Sequence, residues 1–232
     1  MILFELEDWI IDTANYLKSE VIVMYKSLFI VFESVSKCGK TTLANGLEAR
    51  LKAVDPLCEV SHKRGALSES PFGKEVTKRN IEDLGYSTAF YWADLVFDSQ
   101  DTQSLLQRDS SIIIQERYDL SIVAYREIHG FFDDRLLLDA YHKRKMLLTP
   151  DLTVFLDAPT EVIIERINSS KESTNIDRAF GKKAREIDAF QHLIRAHLND
   201  MGRRNLHLDT SENSVQKCLE LIHEEITKLR KE

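Results

Sequence analysis

The run Ser34-Val35-Ser36-Lys37-Cys38-Gly39-Lys40-Thr41-Thr42 carries the residue types that hold phosphate. It follows directly on the apolar run Leu28-Phe29-Ile30-Val31-Phe32 and opens an amphipathic segment. A short apolar strand, a small-residue turn and Gly-Lys-Thr at a helix start form the layout of a P-loop. Its chemistry lies in the backbone. Successive N–H groups and a helix N-terminus attract an anion, and a lysine adds a point charge. Lys40 would reach the β- and γ-phosphates of a nucleoside triphosphate, and Thr41 would set its hydroxyl on Mg2+. The amides of Ser36, Lys37, Cys38, Gly39, Lys40, Thr41 and Thr42 would cradle the phosphates. The cofactors implied are ATP and Mg2+. The loop is poor in glycine: Ser34 stands where the pattern opens with Gly, which serine tolerates if its φ stays negative.

A second cluster follows the run Ile112-Ile113-Ile114-Gln115: Glu116, Arg117 and Tyr118, with Ser121 further on. Ligands of open α/β sheets bind just outside the carboxyl ends of the strands. Glu116 there would hold the Mg2+ shell or orient an acceptor, and Arg117 would clamp a phosphate with its planar fork. An ordinary ion pair at a strand end is the alternative reading.

The elements that must position these residues show in the hydrophobic pattern. Strand-like runs recur at 27–32, 58–61, 111–115, 152–156 and 205–208. Amphipathic segments lie near 40–53, 71–84, 87–107, 118–127, 133–147, 160–169, 178–200 and 212–230. The alternation predicts βαβ units: a three-layer α/β/α fold of the P-loop NTPase type with a five-stranded parallel sheet. The runs at 111–115 and 152–156 lack polar alternation, which suits central strands covered on both faces. Residues 1–25 carry Leu3, Leu6, Ile10, Ala14 and Leu17 at helical spacing and predict an N-terminal helical extension, packed on the domain surface or used for pairing.

The chain has 232 residues, 43% hydrophobic and 30% charged, with a formal net charge of −7. That charge speaks against a nucleic-acid polymer as partner. Cys38, Cys58 and Cys218 are scattered without metal-ligand or disulfide-framework spacing, which fits a reducing cytoplasm. No zinc site is expected from the histidines. No apolar stretch reaches the ~20 residues of a membrane span, and early Glu5, Glu7 and Asp8 do not suit a secretory signal.

From about Leu28 to its C-terminus the chain resembles the thymidylate kinase and deoxynucleoside kinase group of P-loop enzymes. Phe29-Ile30-Val31-Phe32-Glu33 looks like the group's first strand, and Glu116-Arg117-Tyr118 is similar to the Asp-Arg-Tyr motif of thymidylate kinases. Pro150–Asp157 with Pro159 and Glu161 resembles the strand before the lid, and Leu206–Thr210 the last strand and turn. The resemblance implies a kinase domain over 26–232 with a short helical lid near 166–185. It implies that Phe90 stacks on the acceptor base and that Arg117, with Tyr118 and Lys63 or Arg64, meets the acceptor. It also implies that Arg166, Lys171 and Arg178 supply lid cations. Its members act on nucleotides and often form homodimers. Two departures stand out. Lys37 occupies a place where nucleotide kinases often carry glycine, and Asp94 stands where an arginine reads the thymine carbonyl. An aspartate would accept from a ring N–H or an exocyclic amine instead.

The expected reaction is ATP-dependent phosphoryl transfer to the 5′-phosphate of a pyrimidine (deoxy)nucleoside monophosphate. Two alternatives stay open at this level. A deoxynucleoside kinase would phosphorylate a free 5′-hydroxyl, with Glu33 as general base. A non-catalytic nucleotide-binding module would retain only the loop.

Overall fold

Three strands carry the centre of the molecule because their sequences are apolar on both faces. The computed structural model describes residues 26–56, 58–63, 65, 70–71, 73–74, 84–130, 134–170 and 184–232. In chain order these form β1 (Leu28–Glu33), α1 (Lys40–Val54), β2 (Val60–Lys63), α2 (Leu84–Leu106), β3 (Ile112–Glu116) and α3 (Asp119–Ile128). There follow α4 (Asp134–Lys143), β4 (Leu152–Asp157), α5 (Thr160–Ser169), α6 (Ala184–Met201), β5 (Asn205–Asp209) and α7 (Val215–Leu229). The extension 1–25, Arg64, Lys171 and Arg178 lie outside the described residues.

The five strands pair in the order β2-β3-β1-β4-β5, all parallel. β1, β3 and β4 are buried at every position, as their unbroken apolar runs require. β2 and β5 are the edges and are only partly covered. Register brings Phe32 opposite both Glu116 and Val154, so the P-loop leaves β1 between the ends of β3 and β4. Phe29, Phe32, Ile113 and Phe155 are fully buried, and each such side chain contributes about 1.5–3 kcal/mol.

Helices cover both faces, which gives the expected three-layer α/β/α architecture. α1 packs against α7, β2 and β3, while α3 packs against α4 and α6. Right-handed crossovers put the β1–β2 and β3–β4 connections on opposite faces of the sheet. At the α1–α7 contact a Cβ added at Gly46 would meet Leu219 Cδ1 at 2.9 Å, so glycine sets the spacing. α2 descends antiparallel to β3: Asp98 accepts from Gln115 Nε2 at 2.8 Å, and Ser111 Oγ donates to Leu105 O at 3.1 Å. Its earlier turns therefore overhang the carboxyl end of the sheet. Among the described residues no helix is long and apolar enough to cross a membrane.

Candidate active site

The loop after β1 is shaped by two left-handed residues. Gly39 has φ 90° and Lys37 φ 65°. Gly39 is the N-cap of α1 and supplies no side-chain cap, and the first turn carries no acidic residue. The first amides of α1 are thus left to an anion. α7 shows the contrast: its N-cap Ser214 accepts from Lys217 N at 3.2 Å. Ser34 is not among the positive-φ residues, so the missing first glycine costs the loop nothing there. Lys37 does bear a left-handed backbone, at a cost of order 1–3 kcal/mol.

Lys40 is buried, and its Nζ donates to Ser34 Oγ at 2.8 Å, Val35 O at 3.0 Å and Ser34 O at 3.2 Å. Burial, then repulsion from the Arg117 charge, draw its ammonium down to about 7. Thr41 Oγ1 donates to Glu116 Oε2 at 2.7 Å. A hydroxyl and a carboxylate side by side under a phosphate cradle are hard oxygen donors of the kind Mg2+ takes. Mg2+ is usually held by one or two carboxylates plus substrate phosphates rather than by a protein cage. Among the described residues no three acidic, histidine or cysteine side chains form such a cage.

Arg117 stands just past β3 with φ 64°. Four contacts impose that conformation. Its N–H donates to Phe32 O at 2.9 Å, and its carbonyl accepts from Gln115 Nε2 at 3.3 Å. The next amide, Tyr118 N, donates to Glu33 Oε1 at 3.0 Å, and Arg117 Nη2 donates to Ser36 Oγ at 3.2 Å. Strained residues persist where surroundings over-determine them, and they cluster at functional sites. The result is a guanidinium that faces the P-loop from the neighbouring strand.

A cleft on the other side of the loop is lined by Lys37, Gly39, Thr42, Thr210, Val215 and Cys218. Arg166 forms part of its wall, donating to Thr210 O at 2.8 Å, Thr210 Oγ1 at 3.0 Å and Lys37 O at 3.4 Å. The phosphate cradle thus has an open cleft on one flank and a clamped arginine on the other.

A family model described as thymidylate kinase matches residues 32–226. The chain belongs to the thymidylate kinase family. Membership makes it an ATP-dependent nucleoside monophosphate kinase. Among similar proteins, a probable thymidylate kinase of Sulfolobus acidocaldarius is 26% identical over 83% of this chain and 93% of its own length. A thymidylate kinase of Dehalococcoides mccartyi is 28% identical over 83% of this chain and 94% of its own. The solved thymidylate kinase of Candida albicans superposes with a TM-score of 0.63 at 18% identity, covering 88% of this chain and 92% of that one, which shows the shared fold.

Several site residues of this family member stand apart from their sequence-based expectations. Tyr118 cannot meet an acceptor: it is 1% exposed, its ring packs edge-on to Phe29 and its hydroxyl meets Ser99. Lys63 turns away from the cleft and donates to Asp101 Oδ2 and Thr102 Oγ1, both at 2.9 Å, tying β2 to α2. Arg166, expected among the lid cations, is anchored in the wall of the cleft by Thr210 and the Lys37 carbonyl. Phe90 and Asp94 share one face of α2 at 9% and 5% exposure, two turns and one turn above Asp98 respectively. At 1.5 Å per residue they overhang the end of β3 by roughly 6–12 Å, the side on which Arg117 stands. Expectations for Arg64 and Arg178 fall on positions outside the described residues.

Sequence reasoning named Glu33 and Ser121 but not the supporting layer they form. Glu33 is fully buried and accepts from Tyr118 N and Ser121 Oγ. Burial, aided by the Asp119 charge, pushes its carboxyl up to about 7. His62 meets Glu116, and Asp119 holds Arg203 and His142. A charged residue ending an apolar strand, as Glu33 does, is the one local signal of this layer.

Proposed function

We propose that the chain transfers the γ-phosphoryl group of MgATP to the 5′-phosphate of a pyrimidine deoxynucleotide, thymidylate first. The observation that carries this reading is the pairing of two phosphate-binding groups across Ser36: the P-loop with Lys40 on one strand end, strained Arg117 on the next. The loop amides and Lys40 hold the donor phosphates, and the cleft beside Arg166 takes the donor base. Arg117 holds the acceptor phosphate, and Phe90 and Asp94 border the acceptor nucleoside. A carboxylate at Asp94 can accept from the N3–H of thymine.

An oxygen of the acceptor phosphate attacks the γ-phosphorus, and the bond to the β–γ bridging oxygen breaks. The acceptor is already anionic, so no general base is needed, and catalysis is positioning plus charge neutralisation. Thr41 and Glu116 would hold Mg2+, which when bound would supply charge neutralisation at the donor phosphates. The free-hydroxyl alternative loses its base. Glu33 is 0% exposed and both of its oxygens are occupied by Tyr118 N and Ser121 Oγ, so it cannot take a proton from a substrate.

A bisubstrate analogue, adenosine and thymidine joined by five phosphates, tests the two-sided site. It should bind at least about 100-fold more tightly than ATP, and Arg117→Ala should erase the advantage while ATP affinity stays close to wild type. Equal affinity for the analogue and ATP would overturn the reading.

A further inference from the structure

The carboxylate beside the P-loop is not left to choose its own orientation. Glu116 ends β3 with three rotatable side-chain bonds. One oxygen, Oε2, accepts from Thr41 Oγ1 at 2.7 Å. The other, Oε1, lies 3.0 Å from His62 Nε2. An ionised carboxylate only accepts, so the imidazole presents Nε2–H to it. The far ring nitrogen, His62 Nδ1, is 3.7 Å from Glu48 Oε2, and Glu48 Oε1 accepts from Lys52 Nζ at 2.7 Å.

The chain of contacts crosses three elements. Thr41 and Glu48 lie seven positions apart on α1, two helical turns on one face. His62 comes from β2, whose register sets it opposite Ile114, two residues before Glu116. His62 is 12% exposed and Glu116 7%, so the contact is largely shielded from water and from screening by salt. A hydrogen bond from an imidazole to a carboxylate that serves a metal fixes the carboxylate's rotamer, and loss of such partners typically weakens metal binding by about 10–100-fold.

We propose that His62 is a positioning residue that holds Glu116 with Oε2 turned to the Thr41 hydroxyl, the side on which a nucleotide-bound divalent cation would be held. The inference rests on the MgATP reading given above. His62 touches neither nucleotide nor cation. It acts by removing the rotamers in which Glu116 swings away from Thr41. One donor on each oxygen fixes how the carboxylate faces the P-loop.

The test uses the full chain with a non-hydrolysable ATP analogue and Mn2+ read by electron paramagnetic resonance. In His62→Ala the affinity of the analogue-loaded protein for Mn2+ should fall about 10–100-fold. In His62→Gln, whose amide N–H can reach Glu116, most of that loss should be recovered. Analogue affinity measured in chelator should be unchanged in both, which a general collapse of the site would not allow. Mn2+ affinity within about twofold of wild type in folded His62→Ala would overturn the proposal alone. So would a loss of equal size in the Ala and Gln variants. If the wild-type chain binds Mn2+ no better with the analogue than without it, the MgATP reading itself falls.

Discussion

Arg117 separates strain from function. Its left-handed backbone is held by Phe32 O, by Gln115 and by the Glu33–Tyr118 contact. Glycine adopts that conformation freely but brings more freedom to the unfolded chain, and the two effects nearly cancel. Arg117→Gly should therefore keep stability within about 1 kcal/mol of wild type by denaturant titration. It should lower kcat/KM for the phosphorylated acceptor at least about 100-fold, because the proposed charge-assisted contact to the acceptor phosphate is lost. Glu33 carries a second prediction. Its folded-state pKa of about 7 lies above its ordinary 4.5, so the native state holds this proton more tightly than the unfolded state. The stability this gives is complete below about pH 4.5 and is lost as pH rises through about 7. Glu33→Gln keeps an acceptor for Tyr118 N and offers an N–H to Ser121. Its unfolding free energy should lack that decline, which amounts to up to about 3 kcal/mol in the wild type.

Element by element, the apolar runs announced the three central strands most clearly, because a strand buried on both faces leaves no room for polar alternation, while the partly covered edges β2 and β5 showed as shorter runs. Glu116 and Arg117 were legible for the same reason, as charged residues abruptly ending such a run. His62, Gln115 and Asp98 were not, since their partners are 17 to 54 positions away and only strand order brings them together. Tyr118 misled because its place beside Arg117 suggested a shared role. Alternation past the strand end sends its side chain inward to Ser99 instead. The two helix starts make a matched pair for testing how the fold reserves its anion site. At α7, Ser214→Ala should cost about 1 kcal/mol by thermal melting and leave kinetics unchanged. At α1, a Cβ on Gly39 meets nothing within 4 Å, yet its φ is 90°. Gly39→Ala should cost about 1–2 kcal/mol from backbone strain alone and should weaken ATP binding in calorimetry, because the loop must re-form to relieve it.

At the scale of the molecule, one buried cluster ties distant segments behind the site. Asp119 accepts from Arg203 Nη2 at 2.7 Å and Nη1 at 3.0 Å, and from His142 Nε2 at 2.8 Å. Burial alone would raise the Asp119 carboxyl, but the Arg203 charge and the hydrogen bonds from His142 and Arg203 outweigh it and hold it at about 2. A depressed pKa gives stability above the ordinary carboxylate value that is lost as pH falls through about 2. Asp119→Asn leaves Arg203 buried without its counter-charge and should cost about 3–5 kcal/mol at pH 7 in denaturant titration. The same cluster adjoins Glu33 and hence the Arg117 turn, so that turn rests on the joint between α3, α4 and the segment entering β5. The whole arrangement has a single purpose if donor and acceptor phosphates meet between Lys40 and Arg117. Phosphorus NMR of the purified chain with MgATP and, in separate samples, thymidylate, UMP, CMP, AMP, GMP and thymidine reads that meeting directly. The expected result is thymidine diphosphate and ADP in equal amounts from thymidylate, with no product from thymidine. No diphosphate from any monophosphate, or phosphorylation of thymidine in place of thymidylate, would contradict the account.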